Sequence, residues 1–259
     1  MYLLIPIELC SYTITNSFYS PFQLYIHLKS SCSGKTKLMP NDLKTIAESL
    51  GFKSEKTVKN NLNILLQNNW VGFNPKSGMY FIRSFNQVMF QNGFTRRAAA
   101  EFDTREIKNL NEFLTAAIIK KLINFKVWKL REAERKKGRS RQTSRKFPLF
   151  FDIANNYLAK ILCISKNKAF RLKENAVETN YLETQKVFVK TDITPNQIED
   201  YLIGYPEVRN KIKVIKKQVY LQGIDKMRSF VLIIRRKKIE PYKKGFRETF
   251  KKRNEKRKN

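Results

Sequence analysis

Histidine is almost absent from this 259-residue chain, where His27 stands alone. A single imidazole cannot supply the paired histidines of a metal-dependent nicking or hydrolytic centre. Cysteine is nearly as scarce. Cys10, Cys32 and Cys163 are odd in number, widely spaced and without a CxxC pair, so they form neither a disulfide framework nor a zinc ligand set. Three reduced thiols in a cytoplasmic protein is the reading that fits. Long hydrophobic runs are also missing. Segments such as Phe230–Ile234 fall far short of the ~20 apolar residues that a spanning helix needs. The opening MYLLIPIELC lacks a basic flank and is interrupted by Pro6 and Glu8, so an extended segment is expected there instead of a leader. Acidic residues are few, with 22 Asp and Glu against 52 Lys and Arg.

The resulting formal charge of +30 says little about fold but much about partners. A polyanion is expected: nucleic acid first, an acidic protein or an anionic surface after it. With 42% hydrophobic residues, including 19 Phe and 11 Tyr, the chain has enough apolar surface for real cores. Its length suits one or two domains. Apolar residues nearly vanish over 129–147 (KLREAERKKGRSRQTSRKF), which reads as a helix end running into a solvated linker. The stretch 241–259 reads as a basic tail. The expected organisation is a first domain over 1–95, a long helix and basic linker over 96–147, a second domain over 148–240, and the tail.

Within the first half, a helix is expected from about Pro21 to Lys29. Asn41 is placed to cap a second helix carrying Leu43, Ile46, Ala47 and Leu50 at helical spacing, and Gly51 should stop it. Ser54 is placed to cap a third, with Val58, Leu62 and Leu65 on one face. WVGF and MYFIR, separated by NPKSG, predict a hairpin. Asp103 and Glu106 suggest a capping box opening a helix whose stripe runs Ile107, Leu110, Leu114, Ile118, Leu122, Phe125, Trp128. That helix is a connector packed on its neighbours or, alternatively, a homodimer surface over 104–130. Further on, KVFVK predicts a strand, Thr194-Pro195-Gln197 a helix start, and VYLQG with FVLIIRRKKI a strand pair.

The most informative stretch is Leu158–Leu172. Ala159 is small enough for two helices to cross closely, while Leu158, Leu162, Ile164, Ala169 and Leu172 would pin them together. Ser165 stands at the cap of the second helix, leaving Asn167, Lys168, Arg171 and Glu174 outward with Phe170 at the margin. This spacing resembles the helix-turn-helix family, with Cys163 where that family usually carries glycine. Ile46, Ala47, Leu50, Gly51, Phe52, Thr57, Val58 and Leu62 repeat the theme with a turn one residue longer. The hairpin behind them makes the first half resemble a winged helix-turn-helix, with Lys76 at the wing tip. Lys56, Lys59, Asn60, Asn63 and Gln67 project away from the apolar face. Lysine can neutralise phosphate, and asparagine can pair bidentately with adenine in the major groove.

The "IP" segment followed by Phe22-Gln23-Leu24-Tyr25-Ile26-His27-Leu28 is similar to the N-terminal winged helix of plasmid and phage replication initiators. That resemblance implies two winged helix-turn-helix domains joined by a long helix, in a mainly α chain with small β wings (α+β). It also implies a bacterial replication initiator or transcription regulator working on double-stranded DNA in the cytoplasm or nucleoid. An RNA-binding or assembly protein using the same basic surface is the alternative.

No catalytic residue, cofactor or metal is expected. Gly34-Lys35-Thr36 imitates the end of a phosphate-binding loop, but Lys29 stands where its first glycine must be. Asp103, Asp152, Asp192, Glu199 and Asp200 would have to gather around Mg2+ to make a nuclease, and caps or surface positions account for them more simply. His27 is expected at the core or its boundary. The candidate DNA-contacting set is therefore Lys56, Lys59, Asn60, Asn63, Gln67 and Lys76, with Lys166, Asn167, Lys168 and Arg171.

Overall fold

A computed structural model describes residues 1–95, 98–136 and 148–235. The basic linker expected up to residue 147 falls mostly outside these residues, and the basic tail of 241–259 does so entirely. The architecture is mixed α+β. Strand β1 (Tyr2–Pro6) runs straight into helix α1 (Ile7–Thr15), so the extended opening is short. Then follow α2 (Tyr19–Ser31), β2 (Lys35–Thr36), α3 (Pro40–Leu50), α4 (Glu55–Gln67) and a hairpin of β3 (Val71–Asn74) and β4 (Met79–Ile82). Short β2 hydrogen-bonds to the outer side of β4, giving the sheet order β2-β4-β3.

Helix α5 (Phe85–Gln91) and strand β5 (Ala98–Asp103) lead to a 3-10 turn over Thr104–Asn109 and to α6 (Leu110–Lys136). The earlier order of elements then recurs, with α6 in the place of α2. Two-residue β6 (Phe151–Asp152) is followed by α7 (Asn155–Leu162), α8 (Lys166–Glu178) and β7 (Leu182–Gln185). The chain departs into an insertion before closing the hairpin. That insertion holds β8 (Phe188–Lys190), α9 (Ile198–Gly204), β9 (Ile212–Ile215) and β10 (Gln218–Gln222), its strands ordered β8-β10-β9. Strand β11 (Lys226–Ser229) then returns between β6 and β7, giving β6-β11-β7, the same order as β2-β4-β3. Finally β12 (Ile233–Arg235) joins β5, so the sheet β1-β5-β12 ties the two patterns together.

Several expectations change. Helix α3 starts earlier than a cap at Asn41 would allow: Pro40 takes the first helical position, and the Asp42 carboxylate accepts from the Met39 N–H at 2.8 Å. Asp103 and Glu106 do not form a reciprocal box. Asp103 accepts from the Arg105 N–H and guanidinium, while Glu106 takes the Tyr181 hydroxyl. VYLQG and FVLIIRRKKI do not pair with each other, because β10 lies in the insertion sheet and β12 beside β5.

The long helix is more than a connector. From Leu110 to Ile123 it is buried on nearly every side, as a helix apolar all round must be. It packs against α1, α8 and β11, and the core runs without a break from Leu3 to Val231. The expected stripe is consumed inside the chain from Ile107 to Leu122. Only Phe125 and Trp128 emerge, stacked on each other at 5.7 Å.

Candidate nucleic-acid interface

Local chemistry fixes α4 and α8 in matching positions. Gly51 ends α3 in the left-handed region (φ 70°), and the Phe52 N–H turns back to the Ala47 carbonyl at 2.8 Å. Cys163 ends α7 in the same conformation (φ 52°), and the Ile164 N–H reaches the Ala159 carbonyl at 3.0 Å. Each elbow's last helical carbonyl is held from outside its own helix pair. Gln23 donates to the Leu50 carbonyl at 3.3 Å, and Thr15 donates to the Leu162 carbonyl at 3.0 Å. Ser54 and Ser165 then stand at the caps of two thirteen-residue helices. Ser165 Oγ accepts from the Lys168 N–H, whereas Ser54 Oγ meets only the Thr57 hydroxyl. Both helices end two residues before a left-handed asparagine: Asn69 follows the cap Asn68, and Asn180 follows the cap Thr179. An aromatic residue, Trp70 or Tyr181, comes next, and then the first strand of a hairpin.

The two helices therefore correspond residue for residue. Val58, Leu62 and Leu65 are buried, and their counterparts are Ala169, Lys173 and Ala176. Lys173 is 7% exposed and donates to the Ile153 carbonyl at 2.8 Å, an arrangement helical periodicity alone could not reveal. Burial lowers its pKa below the usual lysine value, and the carboxylates of Asp225 and Glu174 oppose that shift.

On the outward side, Lys56, Lys59, Asn60, Asn63 and Gln67 are all exposed and fall within one narrow arc of α4 opposite its buried face. No carboxylate interrupts that arc. The counterparts on α8 are Asn167, Phe170, Arg171, Glu174 and Glu178, also exposed. Glu178 was not singled out by the sequence pattern, which put Phe170 at the margin and left Glu174 outside the candidate set. Aligning the helices from Ser54 and Ser165 to Asn69 and Asn180 finds all three. Lys166 is exposed at the start of α8. Lys168, expected outward, turns back into the chain: its Nζ donates to Ser17 Oγ at 3.0 Å and lies over the Tyr19 ring. That side chain is engaged in holding α8 to the α1–α2 corner.

The β3–β4 hairpin is pinned to the end of α4. Arg83 donates from Nη2 to Asn69 Oδ1 at 2.7 Å and from Nε to the Asn69 carbonyl at 3.0 Å. The Tyr25 hydroxyl holds the Arg83 carbonyl at 2.8 Å, and Trp70 fills the space beneath, packed by Phe18, Phe22 and Tyr25. At the far end Lys76 is exposed, and its N–H closes a turn on Asn74 Oδ1 at 3.0 Å. The base of the hairpin is thus tied to the C-terminal end of α4.

Asp103, Asp152, Asp192, Glu199 and Asp200 are not brought together, and among the described residues no group of three or more His, Cys, Asp or Glu could hold a metal ion. His27 is half-buried on α2, and desolvation lowers its pKa. Among the described residues no helix is long and apolar enough to cross a membrane. Comparison of the chain with family models, with curated proteins and with solved structures gives no match.

Proposed function

We propose that the chain is a sequence-specific duplex-DNA-binding protein that reads two sites with two winged helix-turn-helix units. Helices α4 and α8 are the recognition helices in this reading, and the hairpins behind them are the wings. The observation that carries it is the repeat itself. The same order of helix, strand, two helices and hairpin occurs twice with the same sheet order, and each time the third helix presents an exposed arc, wholly polar on α4 and polar apart from Phe170 on α8. A solvent-facing helix of this diameter fits the major groove of B-form DNA. The charge of +30 supplies the sequence-independent attraction to phosphate.

In this reading Asn60 and Asn63 contact base edges, with Lys56, Lys59 and Gln67 beside them on the first half-site. Asn167 and Arg171 do so on the second, where Glu174 is suited to a cytosine amino group and Phe170 to a thymine methyl. Lys76 and Lys166 contact phosphate, and the protein has no catalytic role. Replication initiation or transcription regulation on a bacterial plasmid, phage or other mobile element is the use that this layout suits.

The test is selection of bound fragments from the source DNA, followed by footprinting. A preferred site is expected, spanning two half-sites of unequal sequence. Asn60→Ala and Arg171→Ala should each lose about 1–3 kcal/mol of discrimination at one half-site, while Lys76→Ala weakens all sequences alike. Enrichment of no site at matched salt, or preference for structured RNA over every duplex, overturns the proposal.

A further inference from the structure

The two wings are not alike. In the first, β3 and β4 are joined by a tight turn carrying Lys76. In the second, β7 and β11 are separated by the whole insertion that contains β8, α9, β9 and β10. This insertion adds little to the core. Among its described residues only Val219 is buried, and Val189, Ile203, Tyr205, Val214 and Ile215 remain exposed. A three-stranded sheet with so little beneath it is present for what its surface does.

One face of that sheet is basic and aromatic. Tyr220 in the central strand pairs with Lys190 on one side and Lys213 on the other, so three side chains stand in a row across the sheet. Both lysines are exposed, and the Lys213 ammonium lies 5.5 Å from the centre of the Phe188 ring on the same face. The β9–β10 connection is a two-residue turn made of Lys216 and Lys217, both with positive φ (48° and 60°). Turns of this shape strongly prefer Asn-Gly, because a side chain there carries a steric cost. Two exposed lysines held in the left-handed region at a hairpin tip are a local strain that stability does not explain. The carboxylates of Asp192, Glu199 and Asp200 lie in the loop and α9. Asp225, which accepts from Gln222, sits at the end of the sheet away from the tip.

We infer that this insertion is an enlarged second wing whose Lys216–Lys217 tip and Lys190–Lys213 row bind the phosphate backbone of duplex DNA beside the site of α8. The inference rests on the DNA-binding reading above and extends it to a surface outside both recognition helices. No base is read there, so the contribution is to affinity and salt dependence alone.

The test is the double variant Lys216→Asn, Lys217→Gly, measured against wild type on the selected duplex between about 0.05 and 0.3 M salt. The replacement pair is the one such a turn prefers, so the variant is expected to melt no lower than wild type. Removing two phosphate contacts should flatten the slope of log K against log salt by about 1.8 and weaken binding about 30-fold near 0.15 M salt. The ranking of base substitutions within the site should not change. A second variant, Lys190→Gln with Lys213→Gln, should show the same signature. If wild type binds its site and both variants bind with unchanged slope and affinity, the enlarged-wing inference is wrong while the recognition-helix reading stands. If wild type selects no duplex site, both fall together.

Discussion

Cys163 and Gly51 occupy the same left-handed position after α7 and α3, in turns that differ in length by one residue, and only position 51 is a glycine. Replacing Cys163 by glycine measures how closely the two turns correspond. A side chain in the left-handed region costs roughly 1–2 kcal/mol. Glycine gives back about 0.4–1 kcal/mol through its freer unfolded chain. Little else is lost, because Cys163 is exposed and its thiol has only a weak 3.9 Å contact with the Lys160 carbonyl. Cys163→Gly should therefore stabilise the protein by about 0.5–1 kcal/mol, which is about 1–4 °C in Tm for a chain of this size. The mirror experiment is Gly51→Ala. No atom lies within 4 Å of the added Cβ, so the cost is backbone strain alone, about 1 kcal/mol. Cys163→Ala keeps the strain and should stay within about 0.5 kcal/mol of wild type. Thermal melts followed by circular dichroism, in reducing buffer, read all three. If Cys163→Gly melts lower than Cys163→Ala, the strained turn at 163 is refuted, and with it the equivalence of the two elbows.

Ser165→Ala should cost about 1 kcal/mol, since it removes the acceptor for the Lys168 N–H, and Ser54→Ala should cost less because its hydroxyl caps no backbone N–H; equal losses on melting would show that the capping geometry is not the cause. Burial lowers the pKa of Lys173 below its ordinary 10.5, so between the two values the unfolded chain binds more protons than the folded one. The Lys173 contribution to stability should accordingly rise as pH climbs through that window, and Lys173→Met should remove that contribution; the difference between wild-type and variant urea midpoints from pH 7 upward checks this, and a difference that does not change with pH would count against it. The Arg105 guanidinium holds the Asp103 carboxyl down at about 2, so its contribution is present above the ordinary carboxylate value and lost as pH falls towards 2. Arg105→Gln should return that pKa towards 3.8, read by carboxyl-carbon NMR, and a titration that does not move would refute the pairing.

What could be read along the chain was whatever depends on near neighbours. Gly51 stopping α3, Ser165 accepting from Lys168, and the box of Thr194 and Gln197 are interactions across three or four residues, and each forms. The exposed arc of α4 follows from its helical period in the same way. Elements a few residues long were harder, because two-residue β6 has no periodicity of its own and exists only through β11. The Asn41 cap failed locally, since Pro40 takes the first helical position ahead of it.

Near-neighbour chemistry in the chain thus set α2, α3, α4, α7 and α8, the stops at Gly51 and Cys163, the outward Lys and Asn residues of α4, and a formal charge of +30. Tertiary structure alone decided the rest. It set α6 at the centre of the second pattern, returned β11 across the long insertion to stand between β6 and β7, and paired Lys168 with Ser17. It also buried Lys173 where the first helix has Leu62. A helix closes its hydrogen bonds within four residues, whereas a strand must find partners elsewhere in the chain, as β12 does in β5. A lysine's fate likewise depends on which carbonyl or ring the completed fold places within its reach.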